Sequence, residues 1–230
     1  MIFKISDITI SKKNDPLIIA EIGINHNGSL ERAIKIADQA IKSGAKVIKH
    51  QTHIVDDEYS YHAKNIKPGN SNKNIYKIIK DWCWNEEDEF KLMNYIKKKN
   101  KIFISTPFSL KAVDRLIKFK VPAFKVGSGE CNNHILLDYI AKQKKPIILS
   151  TGMNDMSSVN KAVDIVNKYH NKLALLHCTN VYPTAFESLR LNSILDLKNK
   201  FRKNIIGYSD HSIGIYPSII AMSLGALIIE

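Results

Sequence analysis

The sequence predicts an α/β fold, a (β/α)8 TIM barrel lacking its last helix. Three observations predict it: short apolar runs of strand character recur along the chain, a helix-like segment follows each of the first seven, and every run ends in polar or charged residues. The eight runs are Leu17 to Glu21, Val47 to Gln51, Ile102 to Thr106, Ala123 to Ser128, Ile147 to Thr151, Leu173 to His177, Ile205 to His211 and Ala226 to Glu230. Runs that are apolar on both faces and separated by amphipathic segments are what a parallel sheet with crossover helices requires. Closure into a barrel explains the count better than an open sheet does, and barrel active sites form at strand C-terminal ends. The polar clusters fall at those ends.

Taken in order, Phe3 to Ile10 alternates like a half-buried strand pair placed to cover the bottom of the barrel. Ser29 is expected to cap a helix carrying Leu30, Ala33, Ile34, Ala37, Ala40 and Ile41, with Gly44 closing it. Between Thr52 and the helix near Asn85 lies an unusually long stretch containing Lys67-Pro-Gly-Asn70, and a long loop at the catalytic end is usually functional. Ser109 caps a helix with Ala112, Val113, Leu116 and Ile117, and Met156 to Tyr169 places Val159, Ala162, Val163 and Val166 at helical spacing. The eighth run stops at Glu230 with no eighth helix. One flank of the barrel is therefore expected to be exposed, or covered by something outside this sequence.

The 230 residues approach the roughly 250 typical of one such barrel, so residues 1–230 read as one domain. No Pro/Gly/Ser-rich linker divides them. Cys83, Cys131 and Cys178 show no C-x-x-C spacing and suit structural thiols in a reducing compartment. The N-terminus, from Met1 to Asp7, lacks a basic segment followed by an apolar one, and no apolar stretch is long enough to span a bilayer. A cytoplasmic protein with no membrane partner is expected. The net charge of +12 invites a nucleic-acid reading. Lysine supplies nearly all of it, however, and arginine occurs only at Arg32, Arg115, Arg190 and Arg202, whereas readers of nucleic-acid sequence lean on arginine. Runs such as Lys97 to Lys99 and Lys142 to Lys145 fall at helix ends, where cations favour the dipole. No nucleic-acid partner is expected, although the field can draw in small anions.

Lys49 and Lys125 interrupt otherwise apolar runs, where a barrel strand points side chains toward the mouth. A lysine there is costly unless an anion meets it. Pairing with Glu21 or Glu130 is one reading, and two cations converging on a highly anionic small substrate is the other. Gly127-Ser-Gly-Glu130 and Ser150-Thr-Gly152 put small residues and hydroxyls directly after strands, where backbone N–H groups can approach a phosphate. With Asn180 and Ser209 at later strand ends they look like a phosphate cradle. His211 ends the seventh run and is a candidate divalent-metal ligand, but His26, His50, His53 and His177 also lie near strand ends, so spacing does not choose among them.

The segments Glu21-Ile-Gly-Ile-Asn-His-Asn-Gly28, Lys49-His-Gln-Thr-His53, Ser105-Thr-Pro-Phe-Ser109, Lys125 to Asn133, Ser150-Thr-Gly-Met153, His177 to Thr184 and Ser209-Asp-His211 closely resemble the bacterial N-acetylneuraminate (sialic acid) synthases, in order and over essentially the whole chain. The run from Lys49 to His53 favours the N-acetylneuraminate branch over the pseudaminic acid synthases, with the legionaminic branch as the alternative. The resemblance implies condensation of phosphoenolpyruvate with N-acetylmannosamine, with Mn2+ or a similar ion required. It implies that Lys49, Thr106 and Lys125 surround the phosphoenolpyruvate carboxylate and bridging charge. Ser128, Ser150, Asn180 and Ser209 then bind its phosphate, and Gln51, Asn70 and Tyr182 contact the acceptor sugar. Glu21 positions a metal-bound water or the acceptor, Glu130 is a candidate general base, and His211 is one of two metal histidines. The second, in a Lys/Arg-His-Phe motif, would lie beyond Glu230, as would a C-terminal antifreeze-like domain that, in the homodimer expected of full-length members, reaches across to the partner's active site and supplies an arginine. Two rivals are weighed beside this: a Schiff-base aldolase, for which a phosphate cradle has no use, and an inactive incomplete barrel that only binds substrate or partner.

Overall fold

A computed structural model describes residues 2–67 and 72–230. Asn70, expected among the sugar contacts, lies outside the described residues. In chain order the elements are β1 (Phe3–Ile5), β2 (Ile8–Ile10), β3 (Leu17–Gly23), α1 (Leu30–Lys42), β4 (Val47–Thr52), α2 (Val55–Glu58), α3 (Ile75–Trp82), α4 (Glu86–Lys98), β5 (Ile102–Pro107) and α5 (Leu110–Lys118). There follow β6 (Phe124–Val126), α6 (His134–Lys142), β7 (Ile147–Ser150), α7 (Met156–Asn167), β8 (Leu173–Cys178), α8 (Ser193–Lys200), β9 (Ile205–Ser209), α9 (Tyr216–Ser223) and β10 (Ile228–Ile229). The strands β10-β3-β4-β5-β6-β7-β8-β9 form a closed barrel, and β1 pairs antiparallel with β2. The predicted eight-stranded parallel barrel is the fold observed.

Local chemistry sets the element ends. Ser29 accepts from Arg32 N at 3.2 Å, Asn85 from Asp88 N at 2.9 Å and Ser109 from Ala112 N at 3.2 Å, each satisfying a backbone donor that the helix leaves open. Gly44 follows the Ser43 cap of α1 with φ +96°, a conformation that side chains resist. Lysines occupy the last turns of α1, α4, α5 and α6, at the negative end of each helix dipole.

The described residues group into two compact units, Ala20–Val121 and Met1–Ile19 with Pro122–Glu230. In the first, Val47, Ile48, Leu92, Ile96, Phe103, Ile104 and Leu116 are wholly buried. In the second, Phe124, Ile147, Leu149, Leu175, Ile194 and Ile228 are. The register runs Leu149↔Leu175↔Ile206 across β7, β8 and β9, and Ile228↔Leu17 from β10 to β3. Among the described residues no helix is long and apolar enough to cross a membrane.

Two expectations need correction. The stretch after Thr52 is not one long loop, because α2, a 3-10 turn at Ala63–Asn65 and α3 occupy it. Asn74 caps α3 through Lys77 N at 2.8 Å, and Ile79 is buried beneath that helix, so a polar cap and an apolar face were available locally. The eighth strand is also shorter than the apolar run: only Ile228 and Ile229 pair, with Leu17 and Ile18 on one side and Ile229 with Tyr208 on the other. Ile18, within β3, is 47% exposed.

Gly207 shows how tightly β9 packs. A methyl group there would lie 2.5 Å from Leu176 Cδ2 and 2.9 Å from Ile228 Cβ, and closer still to the Ile228 carbonyl oxygen. Backbone cannot yield as a flexible side chain does, so Gly207→Ala is expected to cost about 3 kcal/mol. Denaturant unfolding checks this; a loss within about 0.5 kcal/mol, the range of an ordinary surface change, would contradict it.

Candidate active site

In the Ala20–Val121 unit the site begins at Lys49, only 5% exposed in β4. Its Nζ lies 2.5 Å from Glu21 Oε2 and donates to Thr106 Oγ1 at 3.4 Å. Glu21 sits in β3 and Thr106 in β5, so three strands bring their ends to one buried ammonium. Gln51 Nε2 donates to Glu21 Oε1 at 3.1 Å, and Gln51 Oε1 lies 3.3 Å from His53 Nε2. Gly23 follows at φ +54°, and a Cβ there would come within 2.9 Å of Glu21 Oε1, too close to fit. The pairing of Lys49 with Glu21 is therefore as anticipated.

In the other unit the corresponding centre is Lys125, 3% exposed in β6. Its Nζ donates to Ser150 Oγ at 2.8 Å and to the Val126 carbonyl at 3.1 Å. Its carboxylate partner is Glu230, at 3.3 Å, not Glu130. Glu130 Oε2 instead accepts from Asn133 Nδ2 at 2.6 Å, because the 3-10 turn Ser128–Glu130 carries it toward the start of α6. Sequence reading placed Glu230 only as a strand end. The available signal was its position at the end of an apolar run, as with Glu21, Thr106 and Ser150.

Around Gly152 the backbone and side chains crowd closely. A Cβ there would lie 2.7 Å from the Cys178 carbonyl and 3.0 Å from Ser128 Oγ, and closer still to Asn180 Oδ1. Ser128 Oγ is buried, with the Cys178 thiol as its hydrogen-bonding neighbour. Cys178 Sγ donates to Asn180 Oδ1 at 2.9 Å, leaving the amide N–H groups of Asn180 for another acceptor. Burial pushes the Cys178 thiol up, which keeps it a neutral donor. Ser128, Ser150, Asn180 and Lys125 thus supply hydroxyl, amide and ammonium donors to one small region, as a cradle for an oxyanion would.

His211 follows β9 and is half-buried. Its Nδ1 lies 2.8 Å from the Thr179 carbonyl, which can only accept, so Nδ1 carries the proton and Nε2 the lone pair. Tyr182 OH donates to that Nε2 at 2.9 Å, its ring stacked at 4.0 Å, and Ser209 Oγ lies 3.5 Å away. Burial lowers the pKa of His211, again favouring the neutral ring. Asp210 steadies the loop by accepting from Ser212 N at 2.9 Å and Ser218 Oγ at 2.7 Å. An imidazole held through Nδ1 to a carbonyl fits one position of a divalent-metal shell. Among the described residues, no three His, Cys, Asp or Glu side chains group to complete one.

The other strand-end histidines serve packing. His177 Nε2 lies 2.7 Å from the Leu189 carbonyl. His26 accepts from Gly28 N at Nδ1 (3.1 Å), approaches His50 Nε2 at 3.3 Å and packs on Trp84, while His50 Nδ1 lies 3.4 Å from Glu89 Oε1. Burial, then the charges of His50 and His53, lowers His26 to about 4. Glu89, 1% exposed, also accepts from Thr52 Oγ1 and from Arg115 Nη1 at 3.1 Å. Burial alone would raise its pKa, but His50, Thr52 and Arg115 outweigh it and hold Glu89 below the ordinary 4.5.

A carboxylate with a depressed folded pKa stabilises fully above its unfolded pKa and loses that contribution as pH falls through the folded value. Glu89→Gln is therefore expected to cost about 3 kcal/mol near pH 7, chiefly by leaving Arg115 short of its charge partner. The gap from the unsubstituted protein should narrow as pH drops below 4.5. Urea unfolding at several pH values tests this, and a gap that widens in acid would refute it.

Comparison with known proteins gives this arrangement its context. An uncharacterized protein of Methanocaldococcus jannaschii is 41% identical over 229 residues, covering 99% of this chain and 64% of that protein. The N,N'-diacetyllegionaminic acid synthase of Campylobacter jejuni is 38% identical over 221 residues, covering 93% of this chain and 66% of that enzyme. The chain thus spans just under two thirds of the length of these curated relatives. The crystal structure of the N-acetylneuraminic acid (sialic acid) synthetase of Leptospira borgpetersenii, in complex with citrate, superposes with a TM-score of 0.90 at 32% identity, over 100% of this chain and 77% of that one. With the NeuB family model matching residues 36–230 as well, the chain belongs to the NeuB family, which includes the sialic acid and legionaminic acid synthases.

Proposed function

We propose that this chain carries the barrel of a synthase that condenses phosphoenolpyruvate with N-acetylmannosamine, giving N-acetylneuraminate and phosphate. The observation that carries the reading is the cradle around Gly152. There a buried ammonium, Lys125, is hydrogen bonded to Ser150 in the same small region as a buried Ser128 hydroxyl whose neighbour is the weakly bonding Cys178 thiol. A phosphate monoester supplies the acceptors such donors call for. A Schiff-base aldolase is disfavoured, because imine formation needs a free amine lone pair, and both lysines are engaged as ammonium groups by Glu21 and Glu230.

In this reading Lys49, Thr106 and Lys125 surround the carboxylate and bridging charge, Ser128, Ser150, Asn180 and Ser209 hold the phosphate, and Gln51, Asn70 and Tyr182 contact the acceptor. C3 of phosphoenolpyruvate attacks the open-chain aldehyde carbon, water adds at the oxocarbenium-like C2, and the tetrahedral intermediate loses phosphate by C–O cleavage. The lysines and hydroxyls stabilise the charge carried off by the leaving phosphate. Glu21, held between Lys49 and Gln51, orients the acceptor side, and the proton given up by the adding water passes to the alkoxide left by the aldehyde, while Glu130, turned toward Asn133, stands apart from this step. A divalent cation such as Mn2+, with His211 as one ligand, would supply Lewis-acid polarisation of the acceptor aldehyde.

One observation favours a second acceptor: the 38% identity to the Campylobacter legionaminic acid enzyme. Mass spectrometry after incubation with phosphoenolpyruvate, Mn2+ and either N-acetylmannosamine or 2,4-diacetamido-2,4,6-trideoxymannose decides between them. A nine-carbon 2-keto acid from the first sugar supports our reading, and product from the second alone replaces it with the legionaminic one. Lys125→Ala is expected to lower phosphate release about a thousandfold by removing charge from the developing anion. Lys97→Ala, in the last turn of α4, should leave it unchanged. Turnover of Lys125→Ala within about tenfold of the unsubstituted protein would sink the assignment.

A further inference from the structure

Basic side chains also gather at the other end of β9 from Ser209. A cavity of about 270 Å³ opens there, with Lys12, Lys198, Arg202 and Asn204 in its wall. Two lysines elsewhere in the same unit have ordinary roles. Lys142 pairs with Asp138 at 2.8 Å in the last turn of α6, and Lys172 caps the Lys144 carbonyl at 3.1 Å. The three cations of the cavity meet no carboxylate, since none of them forms an ion pair among the described residues, and only Lys198 lies in the last turn of a helix, α8. Lys12 is not at a helix end at all, so the dipole does not account for it.

Two of these groups are held in place by backbone. Lys198 Nζ donates to the Leu224 carbonyl at 2.7 Å, which fixes the ammonium and leaves it further N–H donors. Its chain lies along Gly225, where φ is +95° and a side chain would strike the lysine. Arg202 Nε donates to the Asn199 carbonyl at 3.3 Å, which sets the guanidinium plane and leaves its terminal nitrogens as a planar fork. Asn204, 7% exposed, is anchored through Nδ2 to the Leu173 carbonyl at 3.0 Å. Like charges gathered on one cavity repel, and an anion relieves that repulsion.

The rest of the lining is apolar. Ile205, Ile206 and Leu227 contribute hydrocarbon, which a bare inorganic anion would leave unused. We infer that the cavity binds a small phosphomonoester with an apolar body, its phosphate on Lys12, Lys198 and Arg202 and its body against Ile205, Ile206 and Leu227. The site needs nothing from the cradle residues and stands whether or not the proposed condensation is correct.

Phenyl phosphate is the probe, titrated into the full chain while the methyl resonances of Ile205, Ile206 and Leu227 are followed by NMR. Saturable shifts are expected, with inorganic phosphate binding at least about tenfold more weakly, a difference of about 1.4 kcal/mol. Lys12→Glu and Arg202→Glu, both on exposed side chains, should each weaken binding by about tenfold or more, and Lys12→Gln and Arg202→Gln by less. Ser150→Ala, in the cradle, should leave these shifts unchanged. Absence of saturable shifts, shifts indifferent to the charge reversals, shifts abolished by Ser150→Ala, or inorganic phosphate binding as well as phenyl phosphate would each overturn the inference.

Discussion

An ammonium group removed from water costs several kcal/mol unless charge and hydrogen bonds replace its hydration, and this chain buries two of them inside β-strands. Lys49 and Lys125 are 5% and 3% exposed, so the surrounding strands must deliver a carboxylate and oxygen acceptors to each. Backbone register does this. Glu230 N donates to the Tyr208 carbonyl at 2.9 Å and Asp210 N to the Glu230 carbonyl at 2.8 Å, so the ladder between β9 and β10 runs on through Glu230 and sets its side chain near Lys125. Glu21, within β3, is placed for Lys49 in the same manner. The charge balance of the site is therefore a consequence of strand pairing, and a slip of one residue in either strand would turn the acid to the opposite face.

Much of this was legible in the sequence because it is local. Barrel strands of two to seven residues, the caps Ser29, Asn85 and Ser109, and the polar residues at strand ends all depend on neighbours within a few positions. The choice of partners across strands was not. Glu130 is five residues from Lys125 and Glu230 is far along the chain, yet the 3-10 turn after β6 sends the nearer acid to Asn133. Likewise the contacts of His26 and His50 with Trp84 depend on where the segment before α4 returns to β4, which no periodicity reports. The two helices after Thr52 were overlooked because the Lys67-Pro-Gly-Asn70 turn signal drew the whole stretch into one loop.

The cradle shows how small residues and buried polar groups depend on each other. Gly152 has no space for a side chain because Ser128, Asn180 and the Cys178 backbone already press on it. Those same groups are aligned by short-range contacts, Cys178 to Asn180 and Lys125 to Ser150, so the donors are fixed before any anion arrives. Preorganised donors lose little entropy when they meet charge, which is what makes such a site useful at a transition state as well as in binding.

The strand β4 carries this economy furthest. Its alternate residues point to opposite faces, and each face meets a different acid: Lys49 and Gln51 share Glu21, while His50 and Thr52 share Glu89. The first acid belongs to the proposed chemistry and the second to a buried network closed by Arg115 and Ser105. Because the twofold repeat ties both sets to one backbone, the polar anchoring of His50 and Thr52 to α4 also fixes the height and rotation of Lys49 and Gln51. A strand of ordinary apolar residues would pack against α4 with comparable area, but without directional bonds it would have less to prevent small shifts along its axis. The buried acid on the hidden face is thus how the position of the working lysine is held.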